Sequence, residues 1–357
     1  MIFLDMAESS ELPTSSPDAH LIPTIETAKD DVSFKFIFTR HSGEKNAKLV
    51  LDALQDCDVI VLEQVGMRKK HKGEIQKIWN LLSLETPGSE DAKFLRNFFP
   101  QRNDEDGTFI TKLVEGLTGS KKAVFLVDIT EDSQQFAIYK QANEAGEKYS
   151  VLLSDKLPFS LSQALDGLSE YLELEAKAVG VREEFIASQL RTLHKFGSEE
   201  APSPIKIGVV LGAAHTFVQH QLKREGYETQ RVFAEGDALN SGYLYDLKAS
   251  LIRTKRFFPD KPLDEGLLKR AVLIDLGSYV ITTATTGVET NEEALEEAVK
   301  NLDSPTIEEL WKVVKKTKSD TWRPLKDNPV TISKALMGVF QTYIPNFPDL
   351  AVKKVNN

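Results

Sequence analysis

The chain has 357 residues, with 44 Lys and Arg against 54 Asp and Glu, a net charge of −10 and one Cys. At roughly 150 residues per domain, this length suits two domains or one large α/β unit. A single Cys excludes an intrachain disulfide. The negative net charge argues against a broad nucleic-acid surface, because such a surface requires clustered Lys and Arg. We therefore expect a globular protein with no nucleic-acid partner.

The amino terminus differs from both a secretion signal and a membrane span. It carries Asp5 and Glu8, where a secretion signal would carry Lys or Arg, and no apolar run reaches the ~18 residues of a membrane span. Residues 7–30 are rich in Ser, Pro, Thr and Glu without apolar periodicity, as is typical of a poorly ordered tail or a peripheral strap. We expect a cytoplasmic protein with a tail over residues 1–30 and a single domain over residues 31–357.

The first regular elements form a strand, a helix and a second strand. Residues 34–38 are aromatic and alternating, which predicts a strand. Ala47, Val50 and Leu54 then recur at helical spacing, together with Leu51. Residues 58–62 form a continuous apolar run of the kind that buried parallel strands show. These elements predict one βαβ unit.

Further strands and helices alternate along the rest of the chain. Helices are predicted over most of residues 66–119 with interruptions at 86–91 and 102–107, after Pro158 in two pieces split near Gly180, and at residues 217–224 and 289–317. Strands are predicted at residues 123–127, 149–153, 205–211, 227–233, 271–274 and 279–283. This alternation predicts the α/β class, with a mostly parallel or mixed central sheet flanked by helices.

Chemically active residues follow two of the predicted strands. His41 lies just beyond the first strand, and Glu63 lies just beyond the second. Because the strands of a βαβ unit run parallel, their carboxyl ends meet at one edge of the sheet, where open α/β sheets bind ligands. We expect this imidazole and this carboxylate to share that edge.

A second unit repeats this pattern. In the segment IGVVLGAAH, a predicted strand leads through Gly212 to His215 at the start of a helix. Glycine permits a sharp turn, and an imidazole at a helix amino terminus favours the neutral form that binds metal. Glu235 follows the next strand as Glu63 does in the first unit. Two related βαβ-containing halves and two merely similar units both stay open.

Four motifs together resemble the TraB/PrgY/GumN/Tiki family of the EreA/ChaN-like superfamily. They are FTRHS around His41, DVIVLEQVGMR around Glu63, VREEFIA around Arg182 and LGAAH ending at His215. The motifs occur in the family's order across residues 34–233. The chain departs from the family pattern at Phe38, where the family has Gly, and at Glu183, where Asp or Asn is commoner.

The resemblance implies a mixed α/β fold shared with haem-binding and erythromycin-esterase-like proteins and, in the Tiki branch, a metal-dependent protease. His41 and His215 would be metal ligands, Glu63 a ligand or general base, and Arg182 a residue that orients a carboxylate or substrate. Two His and a carboxylate are the protein ligands of many catalytic Zn sites, which leave one position for an activated water. The implied cofactor is a divalent ion, Zn, Mn or Co, and the substrate a peptide or small molecule.

Three functions follow from these observations. The first is a metal-dependent hydrolase, including a peptidase, at the His and Glu site. The second is a non-catalytic binding or regulatory protein that holds a peptide, a small ligand or a haem-like cofactor on the same scaffold. The third is an esterase-like enzyme that uses His41 as a base without a metal ion.

Structural interpretations also exist for several charged residues. Glu63 could form an ion pair with Arg68 or Arg182, since a charge that follows four apolar residues needs a partner or solvent. Asp128 and Asp155 end predicted strands and could line the same edge, although Asp is common in turns. The basic run at residues 68–72 predicts a solvated helix face.

Overall fold

A computed structural model describes the chain over twelve stretches. They are residues 32–39, 41, 43–64, 68–99, 105–154, 160–193, 205–212, 215–234, 247–285, 288–290, 292–325 and 329–353. The predicted tail over residues 1–30 lies outside the described residues. The chain forms two compact units, Met1–Ser133 with Arg182–Leu239, and Gln134–Val181 with Asn240–Asn357. The single domain over residues 31–357 stays a prediction.

Strands and helices alternate through the first unit, and helices dominate the second. In chain order the elements are β1 Val32–Thr39, α1 Gly43–Ala53, β2 Val59–Glu63, α2 Lys69–Leu84, α3 Glu90–Arg96, α4 Glu105–Leu117, β3 Ala123–Val127, α5 Phe136–Leu153, α6 Leu161–Leu193, β4 Ile205–Gly212, α7 Thr216–Arg224, β5 Glu228–Phe233, α8 Leu247–Phe257, α9 Glu265–Ala284, β6 Val288–Thr290, α10 Glu292–Lys300, α11 Ser304–Leu325, α12 Pro329–Tyr343, a 3-10 helix Phe347–Leu350 and β7 Ala351–Lys353. This succession confirms the predicted α/β class.

The sheet of the first unit is parallel in every strand pair, with the order β3-β2-β4-β1-β5. Strand β4 lies between β1 and β2, and β1 lies between β4 and β5. The connections β1-α1-β2 and β4-α7-β5 therefore each pass over one strand, and they run in opposite directions along the sheet. Because such connections are right-handed, α1 and α7 lie on opposite faces of the sheet.

The predicted strands of this sheet are confirmed, and its three central strands, β2, β4 and β1, are buried on both faces. The side chains of Phe34, Phe36, Ile37 and Phe38 are all shielded from solvent, which explains why β1 lacks an exposed polar face. On one face, apolar side chains pack against α1, α2 and α4. The strand residues of that cluster are Ile37, Ile60, Leu62, Val124, Leu126 and Val210.

Helix α2 covers the free edge of β3, one of the two edge strands of the sheet. The contacts are Val124 N–H to Asn80 Oδ1 at 2.7 Å, Leu126 N–H to Gln76 Oε1 at 3.2 Å, and Lys72 Nζ to the carbonyl oxygen of Asp128 at 2.9 Å. Four residues of a helix rise ~6 Å and two residues of a strand span ~6.6 Å. Every fourth residue of α2 therefore lies opposite every second residue of the β3 segment. Side chains of α2 thus satisfy backbone groups that an edge strand would otherwise expose.

The second unit is mainly helical around a core of its own. Helix α9 is buried along most of its length and packs against α10 and α12. The rings of Phe340 and Phe347 stack at a centroid distance of 4.7 Å. Strands β6 and β7 form a short antiparallel pair. Over the residues that the structure describes, no helix combines the length and apolar character needed to cross a bilayer.

Three predicted strands are wrong, and all three lie in helices of the second unit. Residues 149–153 belong to α5, and residues 271–274 and 279–283 both belong to α9. Leu268, Val272 and Leu276 on one side of α9 are buried, and so are Ala271, Ile274 and Ile281 on other sides. A helix that is apolar all round shows no helical period, so its sequence resembles a buried strand.

Two predicted helix boundaries also need correction. Helix α6 runs without a break through Gly180. A Cβ atom at Gly180 would lie 2.6 Å from the Arg256 guanidinium carbon, so glycine here permits close packing and does not end the helix. Residues 289–317 are not one helix, because β6 ends at Thr290 and α10 and α11 follow.

Candidate functional site

The carboxyl ends of three adjacent strands bring together the predicted site residues. His41 follows β1 by two residues, Glu63 is the last residue of β2, and His215 lies three residues beyond β4. Their parent strands are neighbours in the order β2-β4-β1. The chain leaves β1 and β4 in opposite directions, which makes the space above this pair the switch point where open α/β sheets bind ligands.

The guanidinium of Arg182 on α6 lies between two carboxylates. Its Nη2 donates to Oε1 of Glu63 and to Oδ2 of Asp128, the latter at 2.5 Å. Its Nε donates to both oxygens of Asp128, at 3.2 and 3.1 Å. The side chains of Arg182 and Glu63 are each 10% exposed, and that of Asp128 is 0% exposed. Three buried charged groups therefore neutralise one another in part.

Glu63 uses both of its oxygens. Its Oε2 accepts a hydrogen bond from the backbone N–H of Gly212 at 2.5 Å, and its Oε1 lies 3.3 Å from Nε2 of His215. A Cβ atom at Gly212 would lie only 3.3 Å from that Oε2, so glycine lets the carboxylate approach β4 closely. Burial alone would raise the pKa of Glu63, but His215 and Arg182 outweigh it and hold that pKa well below its usual range.

His215 is fixed by the start of α7. It occupies the N-cap position of this helix and is 1% exposed. Glu183 Oε1 accepts a hydrogen bond from the backbone N–H of Phe217 at 3.2 Å, which satisfies one of the amide groups that a helix start leaves unpaired. Two neighbouring residues of α6 therefore contact different parts of the site. Arg182 binds the carboxylate of Glu63, and Glu183 binds the start of the helix beside His215.

His41 lies in a strained turn directly after β1. Its φ angle is 56°, in the left-handed region that few residues other than glycine adopt. Its backbone N–H donates to Thr39 Oγ1 at 3.3 Å, and its half-buried ring lies 5.4 Å from the ring of Phe109. The turn is made at His41 itself, while Phe38 stays inside β1.

The donor set does not fit a divalent metal ion. The 3.3 Å between His215 Nε2 and Glu63 Oε1 would suit two ligands of one ion, since each would lie ~2.0–2.2 Å from it. That same oxygen, however, is in contact with the Arg182 guanidinium. Within the described part of the chain, no group of three or more His, Cys, Asp or Glu side chains is arranged to hold a metal. We therefore derive no chemistry through a metal at His41, Glu63 and His215.

Two contributors to the site were not assigned from the sequence. The sequence places Asp128 only at the edge of the sheet, because its role as the second partner of Arg182 depends on a contact across 54 residues. Lys72 belongs to the basic run predicted to be a solvated helix face, but it is 9% exposed. Burial lowers the pKa of Lys72 to about 8, although Asp128 opposes this shift. The sequence does contain a signal for this position: Lys72, Gln76 and Asn80 recur every four residues and therefore lie on one face of the helix.

The other residues considered from the sequence are Arg68, Asp155 and Glu235. Arg68 contacts Glu131 at 3.3 Å on the surface, so the partner of Glu63 is Arg182. Asp155 and Glu235 lie outside the described residues.

Comparisons with known proteins leave the family open. No family model, no curated protein and no solved structure matches the chain. The resemblance to the TraB/PrgY/GumN/Tiki family therefore stays a prediction that depends on the four motifs.

Proposed function

We propose that the protein is a hydrolase that activates water with an imidazole at the carboxyl-terminal edge of its parallel sheet. The observation that carries the proposal is the convergence of His41, Glu63, Arg182 and His215 above the β1–β4 pair. Those four residues come from separate stretches of the chain, yet they meet at the point where α/β sheets bind ligands. Ionisable groups gathered in this way, with a strongly shifted pKa among them, are typical of active sites.

His41 is the general base in this proposal. Its ring is half-buried and can meet a substrate, whereas His215 is almost fully enclosed. An imidazole gains and loses a proton near neutral pH. His41 takes a proton from the attacking water and returns it to the leaving group of an ester or amide. The strained backbone at residue 41 is consistent with a side chain held in position for chemistry.

Glu63 and Arg182 act as supporting groups. A carboxylate whose pKa lies well below its usual range is a weak base at neutral pH, so Glu63 is better suited to orient His215 and to stabilise positive charge nearby. Arg182 fixes the orientation of Glu63 through their direct contact. The substrate is a small molecule or a peptide with a hydrolysable carbonyl group.

A chelation experiment separates this enzyme from the metal-dependent peptidase that the family resemblance implies. Hydrolysis of p-nitrophenyl acetate and of a fluorogenic peptide library would be followed with and without EDTA. We expect turnover to survive EDTA and to fall by about 10²–10⁴-fold in His41→Gln, the usual contribution of a general base. His220→Gln is the matched control, because His220 is an exposed histidine on α7. Activity that EDTA abolishes would contradict the proposal.

A non-catalytic binding or regulatory protein is the second candidate. The observation that favours it is the mutual pairing of Arg182, Glu63 and Asp128, which is also how buried charges are stabilised without any chemistry. Its occupant would be a peptide, a small ligand or a haem-like cofactor. Absence of turnover in both assays, together with a Soret band after haem addition or saturable peptide binding, would favour this candidate.

A further inference from the structure

We propose that the guanidinium of Arg182 is the resident cation of this site and occupies the position that a divalent metal ion would otherwise take. The proposal concerns which cation binds Glu63 and Asp128. It does not depend on whether the protein hydrolyses a substrate.

Two buried carboxylates require positive charge. Asp128 is fully buried and Glu63 nearly so, and bringing such groups out of water is unfavourable unless a cation pairs with them. Arg182 supplies that cation from within the chain. The ammonium group of Lys72 lies nearby, and its Nζ donates a hydrogen bond to the carbonyl oxygen of Asp128 at 2.9 Å.

The geometry of the guanidinium places one atom where a bridging ion would lie. Nη2 of Arg182 contacts an oxygen of Glu63 and an oxygen of Asp128 at the same time. An ion bound to both oxygens at ~2.0–2.2 Å would overlap with Nη2. An ion bound instead by Glu63 and His215 would share Oε1 with the guanidinium, and the two positive charges would repel each other.

Contacts along α6 hold Arg182 in this position. Gln189 lies seven residues, or two helical turns, after Arg182, and its Oε1 accepts a hydrogen bond from the backbone N–H of Asp128 at 2.9 Å. The side chains of Arg182 and Gln189 therefore lie on one face of α6 and both bind Asp128. Glu183 also binds the start of α7, so the segment of α6 that carries the guanidinium contacts both Asp128, at the end of β3, and α7.

Metal binding by the purified chain tests the proposal. Wild type, Arg182→Met and Arg191→Met would be equilibrated in turn with Zn²⁺, Mn²⁺ and Co²⁺, desalted and analysed for metal, and Zn²⁺ affinity would be measured by calorimetry. Arg191 is the matched control, since it lies on the same helix and pairs with Glu225 at 2.6 and 2.7 Å away from the site. We expect no stoichiometric metal in wild type or Arg191→Met. We expect Arg182→Met to bind Zn²⁺ at least about tenfold more tightly, because the competing charge is gone.

Either of two results would overturn the proposal: one ion per wild-type chain that His215→Ala loses, or no gain of Zn²⁺ affinity in a folded Arg182→Met. If circular dichroism shows that Arg182→Met does not fold, wild type labelled with ¹⁵N-arginine decides the question. Its Arg182 Nε–H resonance, assigned by its loss in Arg182→Lys, should be unmoved by Zn²⁺. A stoichiometric shift of that resonance would show that metal displaces the guanidinium.

Discussion

Arg182 and Asp128 form a paired contact in which the guanidinium Nε donates to both carboxylate oxygens, across 54 residues of sequence. Asp128 has a φ angle of 112°, which is unfavourable for a residue with a side chain. Its Oδ1 also accepts a hydrogen bond from the backbone N–H of Ile129 at 2.7 Å. The contacts of Asp128 thus hold a strained turn in place and link β3 to the helix that carries Arg182.

Removing the charge of Asp128 should destabilise the fold. Asp128→Asn leaves the guanidinium of Arg182 buried with one carboxylate fewer, and breaking a buried pair lowers the free energy of unfolding by about 3–5 kcal/mol. Urea denaturation measures this loss. Asp260→Asn, at an exposed position, is the control and should leave the urea midpoint unchanged. Equal midpoints for Asp128→Asn and wild type would contradict the structural role of this pair.

The backbone strain at His41 can be measured by comparing two small substitutions. His41→Gly and His41→Ala both remove the imidazole and its contact with Phe109, but only glycine relieves the left-handed conformation at φ 56°. We expect the glycine variant to be more stable than the alanine variant by about 1 kcal/mol. Both should also show the loss of hydrolysis, by about 10²–10⁴-fold, that the proposed general base at His41 predicts. Greater stability of the alanine variant would mean that residue 41 is not strained.

Stability at acid pH should depend on Glu63. The pKa of this carboxyl in the folded state lies well below the ~4.3 of an unfolded chain. Its ionised form therefore stabilises the fold above about pH 4.3, and that contribution is lost as the pH falls through the folded-state pKa. Glu63→Gln should lower stability at neutral pH and flatten the dependence of the unfolding free energy on acid pH. Glu90→Gln, an exposed carboxylate on α3, should preserve the wild-type slope.

Loss of the hydrogen bonds between α2 and the edge of β3 should cause the protein to self-associate. Gln76→Leu with Asn80→Leu leaves two backbone N–H groups of β3 without their side-chain acceptors. Each unsatisfied group lowers stability by about 1–3 kcal/mol, and the exposed edge can pair with a second chain. Sedimentation velocity should show concentration-dependent dimers. Lys77→Leu adds an apolar side chain at an exposed position of the same helix and should stay monomeric if wild type does.

The thiol of Cys57 should be unreactive in the folded protein. Burial, reinforced by the nearby charge of Asp56, raises the pKa of its thiol to about 11, so almost no thiolate is present near pH 8. We expect reaction with a thiol-specific disulfide reagent to proceed only at the rate of unfolding and to accelerate in urea. Fast labelling of the folded chain would show that this region opens locally.

How much the sequence reveals about the fold differs between the two units. In the first unit, strands β1 to β4 are short apolar runs between helices of clear period, so these strands can be predicted. In the second unit, residues 271–274 have the same apolar character yet lie within α9. The reason is that burial on all sides removes the periodicity that distinguishes helix from strand.

The candidate site shows the same division. Placing His41 and Glu63 at one edge required only that their strands run parallel, a property that the βαβ pattern determines. The position of β4 between those strands and the contact of Arg182 with Glu63 depend on pairings over more than a hundred residues, and the contact of Arg182 with Asp128 spans 54. Local patterns contain no information about such pairings. The sequence by itself determined the α/β class and the edge of the sheet where the candidate residues meet, whereas only tertiary packing decided that a guanidinium lies between Glu63 and Asp128.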